Sequence, residues 1–288
     1  MEACLCSFFC RLPWPFMREL KMLKAAAGRQ SDGYVLTDII ALFFNTTAPP
    51  AYFKWKKNAA SEPVSLGMNF AYGGSGAMPD AWESYSLGVQ LGQFKEAVES
   101  KAFTENDIKD AVVLLSSAGN DFTSFILKLN GSETEIPERA KMVRAEMFKF
   151  FEGLEKMGIK KVVMLSVSNF RDGKVEPVFV EHNKLLMEGI QAIAKRSNVK
   201  IVFLDIDKLV PVARDMYPKD KREVNCCEPE NKENYEQMCG AKDASGRKLY
   251  TLCPDPTQVF YFYRLHISHE GWKKIYSLIL ESKVDITV

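Results

Sequence analysis

The groups able to do chemistry gather at three places in this 288-residue chain. Gly119-Asn120-Asp121 follows the apolar run Val112-Val113-Leu114-Leu115, and His266 and His269 stand just ahead of an amphipathic C-terminal stretch. Cys226, Cys227, Cys239 and Cys253 share a polar segment rich in turn formers, while Cys4, Cys6 and Cys10 sit near the start. Four thiols in such a segment can close two disulfides in any of three connectivities, or hold zinc, or stay free. The adjacent pair Cys226-Cys227 lacks the two-residue spacing of most structural zinc sites, which favours disulfides. An imidazole takes up and releases protons near neutral pH. His182 opens an amphipathic stretch and reads as a surface or capping residue. His269, three residues beyond His266 at a helix start, points elsewhere and reads as a local cap or surface residue. Two nearby histidines do not make a metal site. Asp121 suits holding a turn through its carboxylate better than catalysis. Tyr72 and Trp82 could line an acyl pocket, with core packing as the more ordinary role.

The elements that must position these groups follow from periodicity. Short apolar runs at 112–115, 162–165 and 199–204 read as buried strands, and they are joined by amphipathic helices over 137–158 and 180–196. Pro137 near the start and Gly158 at the end bound the first helix. This alternation predicts an α/β fold with a mainly parallel sheet covered on both faces. Residues 206–260 read as an irregular excursion. Ser268 is the expected N-cap of a final helix whose apolar stripe is Trp272, Ile275, Tyr276 and Ile279. In such sheets ligands bind outside the carboxyl ends of the strands, where Gly119-Asn120-Asp121 and the segment before the last helix both project.

Composition narrows the partners. Hydrophobic residues make up 47% of the chain and charged residues 26%, enough for one large core. With 38 Lys+Arg against 37 Asp+Glu the net charge is +1, which leaves no basic footprint for nucleic acid or an anionic membrane surface. No apolar run reaches the ~20 residues of a transmembrane segment, and Ala3 to Phe9 lacks the basic flank and full core of a secretory signal.

Five ordered blocks carry a resemblance. Ser31-Asp32-Gly33, Thr37-Asp38, Gly67-Met68-Asn69-Phe70-Ala71-Tyr72-Gly73-Gly74, Gly119-Asn120-Asp121 and Leu265-His266 ahead of Gly271-Trp272 together resemble the plant GDSL esterase/lipase family of the SGNH hydrolases. The cysteines at 226, 227, 239 and 253 match positions that such proteins carry before the last block. The resemblance implies a three-layer α/β/α, flavodoxin-like sandwich over 31–288, preceded by an atypical segment at 1–30. It implies serine-based acyl-ester hydrolysis without metal or other cofactor, on a small acyl-ester or lipid-like ligand. It also implies His266 as general base, with Gly74 and Asn120 donating to the oxyanion. Proteins of this family are usually secreted.

Two departures stand beside these matches. The family's first strand and its Gly-Asp-Ser are absent from the sequence, so the nucleophile is missing and the first strand is missing or replaced. Cys4-Leu5-Cys6-Ser7-Phe8-Phe9 is the segment expected to fill that slot, because an empty one would expose backbone donors and acceptors. Ser7 lacks the block's glycine and aspartate, and Ser31 matches a later segment whose serine is not the nucleophile. The family's Asp-x-x-His-Pro reads Tyr263-Arg264-Leu265-His266-Ile267, which removes the carboxylate that orients the histidine. The expectation is a family member with weak activity or none. The rivals are an active esterase with a relocated serine, a non-catalytic acyl-ligand or protein-binding module, and a product whose full form carries the missing block.

Overall fold

A computed structural model describes residues 5–9, 29–43, 47–57, 64, 67–83, 85–168, 176–231 and 239–282, those at 5–9, 43, 133 and 176–177 by backbone alone. The elements in chain order are β1 (Leu5–Phe9), α1 (Leu36–Phe43), α2 (Tyr52–Lys57), α3 (Leu87–Glu99), α4 (Glu105–Asp110), β2 (Val112–Ser116), α5 (Gly119–Leu127) and α6 (Ile136–Lys156). There follow β3 (Lys161–Leu165), α7 (Glu176–Ala194), β4 (Lys200–Leu204), α8 (Ile206–Asp215), β5 (Cys227–Pro229), β6 (Tyr250–Leu252), β7 (Tyr261–Tyr263), β8 (His266–Ile267) and α9 (His269–Glu281). The described residues form two compact units, one from 1–17 and 40–207, the other from 18–39 and 208–282.

In the first unit β2, β3 and β4 are parallel neighbours, joined through α6 and α7 as the alternating pattern requires. All five residues of β2 are buried, so both faces of that strand are covered, which explains its unbroken apolar run. Val113, Leu115, Val162 and Met164 share one core with the stripe Val143, Met147, Phe150 and Leu154 of α6. Leu5–Phe9 pairs with β2 along its other edge, Leu5 opposite Ser116 and Phe9 opposite Val112, and it runs antiparallel. That strand supplies backbone partners along the whole of β2. Cys4 and Cys10 lie outside the described residues.

Three expectations are corrected. Gly119-Asn120-Asp121 is not a loop but the first turn of α5: the loop is spent within Ser117 and Ala118, and Ala118 holds a left-handed φ of 95° as N-cap. Residues 206–260 hold more order than their composition suggests, with α8 at the start and the β5–β6 pair within. His182 is no surface residue. It is fully buried, packed edge-on against Phe122 at 5.1 Å, which in turn meets Phe179, and neither ring nitrogen has a partner among the described residues.

In the second unit disulfides join Cys226 to Cys253 and Cys227 to Cys239, so one pairing is realised of the three that the spacing allowed. Closing loops of 27 and 12 residues restrains the unfolded chain by roughly 3 kcal/mol each. This compensates for a segment with few buried apolar side chains of its own.

Burial pushes the His182 pKa down from the usual 6.5 to about 3. The folded protein therefore holds a neutral ring where the unfolded chain would take a proton, and stability falls as pH drops through that interval. The contribution is at most ~1.4 kcal/mol per pH unit. His182→Phe keeps the ring contact with Phe122 and should remove this component, read as a flatter dependence of the urea midpoint on pH between 6.5 and 3.

Candidate active site

The sequence places Gly119-Asn120-Asp121 at the carboxyl end of β2, and in the first unit this helix start is locked to the glycine turn. Gly74 adopts φ +80°, a conformation that strains any residue with a side chain, and a Cβ there would stand 2.9 Å from the Glu83 side chain. Ser75 follows, its hydroxyl donating to the Tyr72 carbonyl at 2.7 Å. Asn120, buried in the first turn of α5, donates from Nδ2 to the Ser75 carbonyl at 2.8 Å. Gly74 and Asn120, separated by more than forty residues of chain, thus meet through Ser75.

Asp121 makes that meeting rigid. Its carboxylate is fully buried and accepts from the Ala77 N–H at 2.8 Å and the Met78 N–H at 2.7 Å. It ties the segment after the glycine turn to the first turn of α5. Gly76 is required by the same contact, because a Cβ there would come within 2.6 Å of the carboxylate. Arg139 of α6 donates to the Asp121 carbonyl and grips Asp80 with both terminal nitrogens at 2.8 and 2.6 Å. That guanidinium holds the Asp80 carboxyl below its ordinary range. Burial, partly offset by the two backbone N–H groups, pushes Asp121 up to about 6. The turn role read from sequence is therefore realised on a distant segment rather than the local one. Arg139, Asp80 and Gln90 went unnoticed in the sequence. The available signal was a buried-type arginine at a core-facing position of the α6 stripe.

His266 belongs to the second unit, where β7 and β8 form a hairpin with Arg264 in the left-handed region at φ 51°. Tyr263 and His266 are opposed across this two-residue turn. Directly opposed residues share a face with Cβ atoms about 5 Å apart, the spacing at which an Asp-x-x-His carboxylate would reach the ring. A tyrosine occupies that place, its ring parallel to the imidazole within 10° at 6.4 Å. The Arg264 guanidinium lies over the Tyr263 ring at 5.3 Å. Burial drives the His266 pKa well below its usual value, with the Arg264 charge acting in the same direction.

His269 has a different task. Its Nδ1 accepts from the Tyr34 N–H at 2.7 Å, and its own N–H donates to Asp32 at 2.8 Å, while Ser268 caps α9 through Gly271. The Ser31-Asp32-Gly33 segment is thereby fastened to the start of α9, and the space at Gly33 is filled by the His269 ring. The Ser31 hydroxyl makes a long contact to Asp32 at 3.3 Å. Ser7 lies on β1, opposite Leu114. Trp82 is held by its indole N–H on Thr123 at 3.0 Å. No group of three or more metal-ligating side chains occurs among the described residues. No helix among them is long and apolar enough to cross a membrane.

The glycine turn, the Asn120 helix start and the His266 hairpin all fall within residues 20–279, which match the model of the GDSL-like Lipase/Acylhydrolase family. The chain belongs to this GDSL esterase/lipase family. It is 30% identical to GDSL esterase/lipase At5g03610 of Arabidopsis thaliana over 93% of its own length and 80% of that protein's. It is 28% identical to GDSL esterase/lipase At2g36325 of the same plant over the same shares. A GDSL lipase of Tanacetum cinerariifolium is 23% identical over 88% of this chain and 72% of its own.

Asp121→Asn leaves one acceptor where two N–H groups converge and should cost about 1–3 kcal/mol. Because the native carboxyl binds its proton more tightly than the unfolded one, the wild-type protein loses stability as pH rises from 3.8 to about 6. The gap between wild type and variant should therefore narrow across that window in paired thermal melts.

Proposed function

We propose that this chain is a carboxylic-ester hydrolase scaffold that binds an acyl ester or lipid-like ligand at Gly74 and Asn120 and turns it over weakly or not at all. The observation that carries the reading is Tyr263 facing His266. Were His266 the general base, its imidazolium would need an opposing carboxylate, and a phenol that stays protonated near neutral pH supplies no charge. Replacing the orienting carboxylate by a neutral group costs about 10⁴ in serine proteases. No Gly-Asp-Ser occurs within these 288 residues.

The oxyanion half is better kept. Asn120 presents a buried side-chain amide and Gly74 a backbone unobstructed by a side chain, the two donor types that stabilise a tetrahedral oxyanion by ~3 kcal/mol in related hydrolases. The Asp121 latch holds them in place before any ligand arrives. That retention favours binding over chemistry as the surviving activity.

The purified chain assayed on short-chain nitrophenyl esters should give a rate no greater than His266→Ala. A rate that falls with His266 would overturn the reading and imply a relocated serine. Tyr263→Asp should raise the His266 titration midpoint, followed by NMR of the ring protons, because an opposed carboxylate favours imidazolium. An unmoved midpoint would mean that position 263 does not address the ring.

A further inference from the structure

Three aromatic rings, one of them two residues before the glycine turn's Gly74, contact one another while remaining partly or well exposed. Phe53 on α2 is 43% exposed, while Tyr52 and Trp55 of the same helix are buried. Its ring stands edge-on to Tyr72 at 6.0 Å and 70°, and to Tyr85 at 5.5 Å and 89°. Tyr72 and Tyr85 stack on one another at 4.0 Å and 24°. The three rings form a corner, with two parallel faces and a third ring set across them. We propose that this corner is the subsite for an aryl group of the ester ligand, on the acyl or the alcohol side.

Its connection to the turn is physical. Tyr72 is two residues before Gly74, and its carbonyl accepts from the Ser75 hydroxyl. Buried Gln90 donates from Nε2 to that hydroxyl at 3.3 Å and to the Tyr85 carbonyl at 2.9 Å. Both tyrosine backbones are thus tied to Ser75, whose carbonyl also receives Asn120. The rings are set against one another before any ligand arrives, and preorganisation lowers the cost of binding. The chemistry selects a flat π system over an alkyl chain. A ring gains stacked or edge-to-face contacts beyond the area it buries, whereas an alkyl chain gains only the area. This subsite rests on the reading of Gly74 and Asn120 as oxyanion donors.

The test uses the full chain and amides that an esterase leaves intact, N-methyl-3-phenylpropanamide against N-methyloctanamide, by isothermal titration. The aryl amide should bind tighter, roughly threefold to tenfold. Phe53→Leu and Tyr72→Leu should each abolish that preference while leaving the alkyl amide's affinity in place. Phe53 is on the surface, so its variant should keep the wild-type melting temperature and decides the matter if Tyr72→Leu unfolds. Equal affinities, no binding of either amide, or a preference that survives Phe53→Leu would overturn the subsite. Co-sedimentation with phosphatidylcholine–phosphatidylglycerol vesicles that Phe53→Leu abolishes, with the amide preference unaltered, would overturn it in favour of a membrane anchor. Ester turnover dependent on His266 would defeat the weak-activity reading and leave the aryl preference standing, so the two failures are separable.

Discussion

A single buried carboxylate organises the glycine turn and the start of α5 in the first unit. Asp121 sits in the first turn of α5, where the aligned peptide dipoles favour negative charge, and its two oxygens take the N–H groups of Ala77 and Met78. It adds two buried backbone acceptor contacts to the Asn120–Ser75 and Trp82–Thr123 bonds that also join the segment carrying Gly74 to the helix carrying Asn120. Burial raises the proton affinity of this group, so the latch is made at an electrostatic cost. A fully buried acid that accepts two backbone bonds is better explained by the positioning of its neighbours than by stability, since an apolar residue there would avoid the desolvation penalty.

The second unit solves a similar problem by covalent means. Its chain from Cys226 to Cys253 is short in apolar residues, and two disulfides confine it where a core cannot. The β7–β8 hairpin then presents position 263 opposite position 266, so the spacing of two intervening residues is set by turn geometry. Across that pairing a phenol faces the imidazole. Geometry and charge are separable in this way because backbone hydrogen bonds, not the side chain at 263, hold the hairpin.

Much of the fold was legible. The runs at 112–115 and 162–165 are strands because apolar side chains on both faces leave a buried parallel strand as the simplest solution, the run at 199–204 forms the half-exposed edge strand beside them, and the α6 stripe from Val143 to Leu154 packs on the core as its spacing requires. The family blocks singled out Gly74, Asn120 and His266 as candidates, and the fold brings Gly74 and Asn120 together through Ser75. His182 misled because the chain around it is polar enough for a surface, while its ring faces Phe122 and a core that the linear pattern does not display. The antiparallel sense of Leu5–Phe9 was equally invisible, since an apolar extended segment carries no record of the direction in which it pairs.

By itself the sequence determined the α/β alternation and the family, because periodicity, motif order and residue identity are local properties of the chain. Only the tertiary structure decided that Asp121 reaches across to Ala77 and Met78, that His269 serves Tyr34 and Asp32, and that Phe53, Tyr72 and Tyr85 close into one corner. Each of these joins residues distant in sequence. The free energy that selects them comes from desolvation and hydrogen-bond geometry, which exist only once the chain has folded.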